Sequence, residues 1–362
     1  MKDIIIIGST GKLGSILLNF CFKNHISIYA ATCFQNTNKL LIQKKKFNIK
    51  NIYTLSNLLD KKKFFNLIKR KKFKIIYFLD YGSYSLKYIQ FFLKNNKKSY
   101  FAIANKELII AGGKILINKI KISNNFFIPL DSEHFSLINS NFDNDNIKNI
   151  FITASGGPFY FDKKINLNQV TFKHVVSHPK WSMGINNSID SSNFINKVLE
   201  IFELSIIYNI DLKKINFVLS REALIHSIII FNDSTISLNC FNNNMLIPLT
   251  KPLSIVFKIS CPTFDNKFIF DSNSFKIEKL SDKRFKINKY LKQLFNFDHI
   301  SMIKFMLLNN KAHQLYINKS LNYNDIVDFI FNNLSNEKKV IKINSFKSVL
   351  KYINVTKSKY DI

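Results

Sequence analysis

A chain of 362 residues, 46% of them hydrophobic, is long enough to bury a large core and to divide into two or three domains. A net charge of +29 with a pI near 9.8 raises nucleic acid or an anionic membrane as a partner. The lysines, however, are spread along the whole chain beside Asn, Ile and Phe, and no helix-turn-helix, zinc-finger or RNA-recognition pattern accompanies them. The charge is therefore read as the imprint of A/T-rich codons on solvated faces, and neither nucleic acid nor membrane is expected as a partner. Cys21, Cys33, Cys240 and Cys261 stand far apart, which argues against a disulfide framework or a thiolate metal site. No apolar run reaches the roughly 18–20 residues of a membrane span, and the N-terminus enters a strand-like run without a signal-peptide pattern. A soluble, cytoplasmic protein is the expectation.

Residues 3–7 read as a short buried strand, followed by Gly8-Ser9-Thr10-Gly11-Lys12-Leu13-Gly14 and then by apolar residues at helical spacing over 15–22. Strand, glycine turn and helix open a dinucleotide-binding βαβ unit, in which glycine lets the backbone approach a pyrophosphate at a helix N-terminus. A purely structural glycine turn is the alternative. Residues 26–33, 75–79 and 101–104 read as further strands and 61–71 and 86–95 as helices, so a parallel, doubly wound sheet is expected over 1–125. The tip of the second strand, Thr32-Cys33-Phe34-Gln35-Asn36, carries neither an acid for a ribose hydroxyl nor a base for a 2′-phosphate. A central α/β domain is expected over 126–254, with strands at 126–130, 150–154, 216–219 and 235–239 and a helix at 193–207. Pro252 and Pro262 punctuate a connector, placed at 255–284, and 285–362 form a small helical domain with helices at 288–295, 299–309 and 324–333.

Two segments carry the chemistry. Asp131 and Glu133 stand two apart at the end of a strand, where side chains at i and i+2 share a face, so both carboxylates could reach one hard cation such as Mg²⁺ or Mn²⁺. Asn196, Lys197 and Glu200 share a face of the 193–207 helix, the first two near its N-terminus where phosphate is favoured. The bland alternatives are solvated acids and an ordinary Lys–Glu surface pair. Ser155-Gly156-Gly157-Pro158 follows a strand and can present amides and a hydroxyl to an anion. Trp181, the only tryptophan, lies in a loop between Pro179 and Gly184, as a lid or as core. His178 could donate to a phosphate or hydroxyl, and His134 supports the carboxylate loop. The set points to metal-assisted chemistry on a small phosphorylated molecule. Rival readings are another Rossmann oxidoreductase, for example one acting on an amino-acid semialdehyde, and a nucleic-acid binder selected for its charge.

Gly8-Ser9-Thr10-Gly11 with Gly14, Ala104-Asn105-Lys106-Glu107, Pro129-x-Asp131-Ser132-Glu133-His134, Ser155-Gly156-Gly157-Pro158-Phe159, His178-Pro179-x-Trp181-Ser182-Met183-Gly184, Asp190-Ser191, Asn196-Lys197-x-x-Glu200 and Ile225-His226-Ser227 occur in this order. Over about residues 3–240 the chain thereby resembles the 1-deoxy-D-xylulose 5-phosphate reductoisomerase family. The resemblance implies a metal-dependent retro-aldol and aldol rearrangement of a phosphorylated sugar, then reduction by NADPH to 2-C-methyl-D-erythritol 4-phosphate, in a homodimer. It implies Asp131, Glu133 and Glu200 as ligands of Mg²⁺ or Mn²⁺, with Co²⁺ a third candidate. Ser155, Ser191, Asn196 and Lys197 would hold the phosphate with His178 nearby, Ser132 and Lys106 would touch the rest of the substrate, and Trp181 and Met183 would form a lid. Lys106, Glu133 and His178 would be the catalytic set. Gly8, Ser9, Thr10, Gly11, Lys12, Leu13 and Asn36 would cradle the cofactor, with Asn105, Glu107, Met183 and Gly184 toward its nicotinamide half. The chain departs from the family's pattern at Phe34-Gln35-Asn36, Asn186-Asn187, Ser220-Arg221-Glu222-Ala223 and Asn309-Asn310-Lys311.

Overall fold

The computed structural model describes residues 3–140, 143–176, 184–260, 276–334 and 343–362. The chain divides into two compact units, Met1–Ile138 with Asn242–Asn266, and Asn139–Phe241 with Lys267–Ile362.

The first unit is built on strands β1 (Ile4–Ile7), β2 (Ala30–Cys33), β3 (Asn51–Thr54), β4 (Ile75–Phe78), β5 (Tyr100–Ile103) and β6 (Phe126–Pro129), all parallel, in the order β3-β2-β1-β4-β5-β6. Helices α1 (Lys12–Lys23), α2 (Thr37–Phe47), α3 (Leu58–Arg70), α4 (Ile89–Asn95) and α5 (Lys106–Ile122) connect them, and the short α6 (Ser132–Phe135) follows β6. Strands β1 and β4 are buried along their whole length. Strands of a parallel sheet are covered on both faces, so they read as continuous apolar runs such as Ile4-Ile5-Ile6-Ile7 rather than alternating ones. The strand order reverses between β1 and β4, and the crevice beyond their carboxyl ends is where such sheets bind ligands. Asparagines set the helix starts there: the side chains of Asn36, Asn57 and Asn105 accept backbone amides of α2, α3 and α5.

Two expectations change here. Residues 126–130 were expected to open the second α/β region, but Phe126–Pro129 pairs in register with Tyr100–Ile103 and forms the edge of the first sheet. The stretch around Pro252, expected as poorly patterned connector, is helix α10 (Leu246–Phe257) with Pro252 inside it. Its Leu249 and Leu253 join the core formed by Ile4, Ile6, Leu17 and Tyr77, and the Tyr77 hydroxyl donates to the Leu249 carbonyl at 2.8 Å. Apolar burial outweighs the missing proline amide. β3 was not foreseen, because four residues with a single wholly buried position, Thr54, leave little pattern to read.

The second unit holds a mixed sheet of β7 (Ile147–Ala154), β8 (Ile215–Leu219), β9 (Ile225–Phe231) and β10 (Ile236–Cys240) in the order β10-β9-β7-β8, parallel only between β7 and β8. Helices α7 (Phe172–Val176), α8 (Ile185–Ser192) and α9 (Ile195–Tyr208) make the crossover from β7 to β8. Helices α11 (His299–Ile317), α12 (Ile326–Leu334) and α13 (Phe346–Tyr360) form the helical C-terminal part. Thus the expected class holds: an N-terminal Rossmann-like parallel sheet, a central α/β region and C-terminal helices. Among the described residues no helix is long and apolar enough to cross a membrane.

Removing the Tyr77 hydroxyl leaves a buried carbonyl without its donor. Tyr77→Phe is expected to lower stability by about 1–2 kcal/mol, read as an earlier urea midpoint at unchanged slope.

Candidate functional site

The glycine turn lies between β1 and α1. Gly8 has φ +83°, and a Cβ there would meet the Asp80 backbone nitrogen at 2.5 Å, while one on Gly14 would meet Ser9 at 2.5 Å. Both positions therefore exclude larger residues on steric grounds. The turn consumes several of its own groups. The amides of Gly8 and Ser9 donate to the Thr32 carbonyl at 3.1 and 2.9 Å, and that of Gly11 donates to the Gly8 carbonyl. Ser9 is fully buried, its hydroxyl donating to Gln43 Oε1 at 2.8 Å while Gln43 Nε2 donates back to the Ser9 carbonyl at 2.9 Å. Gln43, on a lysine-rich helix, gave no signal in the sequence. Helix α1 begins at Lys12 with no side chain capping its N-terminus, the arrangement in which backbone amides and dipole attract an anion. Thr10 and Leu13 are half-buried and Lys12 is exposed. Asn36 is exposed, and its Oδ1 accepts from the Lys39 amide at 3.2 Å, so its side chain serves as the cap of α2.

Asn105 is buried at the tip of β5 and ties three segments together. Its Oδ1 accepts from the Leu108 amide at 2.9 Å, and its Nδ2 donates to Asp80 Oδ1 at 3.1 Å and to the Gly82 carbonyl at 3.0 Å. Asp80 also accepts from Ser85, which shares a 2.6 Å hydrogen bond with Tyr88. Burial pushes the Asp80 carboxyl up, against the hydrogen bonds from Ser85 and Asn105. Neither Asp80 nor its network was singled out from the sequence, because an isolated acid after a strand has no spacing signature. Glu107, next along α5, is buried.

The carboxylate loop is not the extended segment that the spacing suggested. The strand ends at Pro129, and Asp131 caps the one-turn helix α6, with Glu133 on that turn. Lys106 makes an ion pair with Asp131, and the buried His134 lies 3.9 Å from it. Burial alone would raise the Asp131 carboxyl, but the Lys106 ammonium and then His134 outweigh it and hold it well below the usual carboxylate range. The Ser132 hydroxyl donates to Glu133 Oε2 at 2.5 Å.

In the second unit, α9 carries Asn196, Lys197 and Glu200. Glu200 is only 2% exposed. Lys197 Nζ lies 2.6 Å from its Oε2, and Asn196 Nδ2 donates to its Oε1. The helical spacing of three and four thus does bring all three together, with Lys197 and Glu200 buried and Asn196 half-buried, and not as a surface pair. Ser155 and Ser191 are half-buried. Gly156 and Gly157 have φ of +92° and +61°, and a Cβ on Gly157 would meet the Ser191 carbonyl at 2.8 Å, so the turn after β7 lies directly on the end of α8. Gly184 is exposed and starts α8. His178, Trp181 and Met183 lie outside the described residues.

Asn105→Ala removes a helix cap and two donors at once. It is expected to cost about 2 kcal/mol, measured by urea denaturation of the purified apo-protein.

Comparison with known proteins bears on this arrangement. A family model described as the 1-deoxy-D-xylulose 5-phosphate reductoisomerase C-terminal domain matches residues 127–208. The 1-deoxy-D-xylulose 5-phosphate reductoisomerase of Pelagibacter ubique is 32% identical over 360 residues, covering 90% of this chain and 89% of that protein. The enzyme of the same name from Clostridium novyi is 27% identical, covering 91% of each. A crystal structure of DOX-P reductoisomerase in complex with NADPH, fosmidomycin and magnesium superposes with a TM-score of 0.84 at 21% identity, covering 100% of this chain and 98% of that one. The Zymomonas mobilis enzyme in complex with NADPH gives 0.82 at 21%, covering 99% and 98%. The structural matches establish a common fold. With the near full-length identity to the Pelagibacter enzyme, they show that this chain belongs to the 1-deoxy-D-xylulose 5-phosphate reductoisomerase family.

Proposed function

We propose that this chain converts 1-deoxy-D-xylulose 5-phosphate into 2-C-methyl-D-erythritol 4-phosphate, by a divalent-metal-dependent carbon-skeleton rearrangement followed by reduction with NADPH. The observation that carries the reading is Glu200, a carboxylate buried to 2% exposure between Asn196 and Lys197. Burying a carboxylate is costly unless it is paired, and here Lys197 and Asn196 hold one ready at the start of α9. By the resemblance Asp131, Glu133 and Glu200 would be the ligands, three carboxylates of the kind that suits Mg²⁺ or Mn²⁺. When bound, such an ion supplies the Lewis acidity that stabilises negative charge on the substrate oxygens as the carbon–carbon bond breaks.

The chain's own groups do the rest. Lys106, held against Asp131, places a cation and a proton donor beside the substrate's polar carbons, and Ser132 adds a hydroxyl. Ser155, Ser191, Asn196 and Lys197 bind the phosphate, two of them in the first turn of α9. His178, Trp181 and Met183 are assigned to substrate and lid by the resemblance. The uncapped start of α1 and the sterically obligatory Gly8 and Gly14 fit a dinucleotide pyrophosphate. NADPH would supply the hydride when bound, and by the resemblance Asn105 and Glu107 would hold its nicotinamide half.

The test is a spectrophotometric assay of NADPH oxidation with 1-deoxy-D-xylulose 5-phosphate. Turnover is expected with Mg²⁺ or Mn²⁺ and none after chelation, and Glu200→Gln should lower kcat by roughly 100-fold or more. Full activity in chelator, or in that variant, overturns the mechanism. Because Phe34-Gln35-Asn36 has no cation for the 2′-phosphate, the ratio of KM for NADH to KM for NADPH is expected to be small, within about tenfold.

A further inference from the structure

Asp190 directly precedes Ser191 in the last turn of α8 and is only 4% exposed. Two side chains of α11 reach it from one turn apart. Asn309 Nδ2 lies 2.9 Å and His313 Nε2 2.7 Å from the same oxygen, Asp190 Oδ1. Both donors are 2% exposed. A carboxylate oxygen only accepts, so Nε2 is the His313 nitrogen that carries the hydrogen. The remaining polar atoms of the pair, His313 Nδ1 and Asn309 Oδ1, are buried with no hydrogen-bond partner among the described residues. Leaving them unmatched is unfavourable, and what the fold gains in return is a fixed Asp190.

The neighbouring backbone is held from other sides. The turn at Gly157 lies against the Ser191 carbonyl, leaving no space for a Cβ. Three residues on, Phe194 takes φ +66° and is 1% exposed, its ring 4.8 Å from that of Phe285 and 5.7 Å from that of Phe217. A left-handed phenylalanine is strained, and packing on this scale is what keeps it there. The junction of α8 and α9 is thus pinned at Asp190, at Ser191 and at Phe194, with Ser191 on one side of it and Asn196 and Lys197 on the other.

We propose that Asp190, clamped by His313 and Asn309, is a positioning residue that sets Ser191 against the substrate's phosphate, so that the C-terminal helices contribute to phosphate affinity without touching the ligand. This rests on the assignment of Ser191 to the phosphate-binding set. Preorganised donors bind an anion more tightly than donors that must be ordered on binding.

The test compares the full-length wild type with His313→Leu, His313→Gln and Asn309→Leu. In His313→Leu, KM for the phosphorylated substrate and the inhibition constant of inorganic phosphate are both expected to rise about tenfold, with kcat and KM for NADPH within about twofold. His313→Gln, which keeps a donor, should recover to within about threefold of wild type, and Asn309→Leu should fall between. An unchanged phosphate inhibition constant overturns the proposal. So does a parallel loss in kcat and NADPH affinity, which a merely structural role would give. If His313→Leu does not fold, Asn309→Leu decides by the same two readings. If the wild type itself does not turn over the substrate, the proposed function falls. Calorimetric binding of inorganic phosphate to wild type and variants then still decides the clamp.

Discussion

A carboxylate withdrawn from water must have a cation or strong donors beside it, and this constraint organises the chemistry of both units. In the first, Lys106 stands against Asp131; in the second, Lys197 stands 2.6 Å from Glu200, with Asn196 on the other oxygen. Each unit meets the demand internally, with a lysine on a helix start reaching an acid near by. A lysine so placed neutralises the acid and also offers its ammonium to whatever anion arrives. Elsewhere neutral donors or a histidine take the lysine's place: Ser85 and Asn105 at Asp80, Asn309 and His313 at Asp190.

The parallel sheet supplies the other half of the architecture by a purely steric argument. Gly8 and Gly14 lie so close to Asp80 and Ser9 that any side chain would collide with backbone. The turn lies where the strand order reverses between β1 and β4, and Asn105 ties the ends of β4 and β5 together there by bonding to Asp80, Gly82 and Leu108. In the second unit glycine acts differently: Gly157, at positive φ and without a Cβ, lets the turn lie on the end of a helix, while Gly156 makes room for the Phe161 ring.

Much of this was legible from residue order. The strand Ile4–Ile7, the glycine turn and the α9 cluster each have a local signature: a run, a spacing or a helical period. The contacts that escaped reading join distant positions. Gln43 meets Ser9 across 34 residues, and His313 meets Asp190 across 123. Neither has a periodicity, because their partners are set by how helices lie on a sheet or on each other. The carboxylate loop lies between these cases. Asp131 and Glu133 were singled out by their spacing, but the extended geometry that spacing suggested is replaced by a single helical turn.

By itself the sequence determined the class of fold, the glycine turn and the types of side chain available for chemistry, because these follow from backbone sterics and short-range periodicity. Its ordered motifs also pointed to the family. Only the tertiary structure decided which strand closes the first sheet and that the helix around Pro252 returns to that unit's core. It alone showed that Glu200 is buried and not a surface acid, and that Asp190 is held by a histidine from the C-terminal helices. Burial and partnership are properties of the packed chain: an acid in a sequence carries no record of how much water it will lose, or of which donor will replace that water.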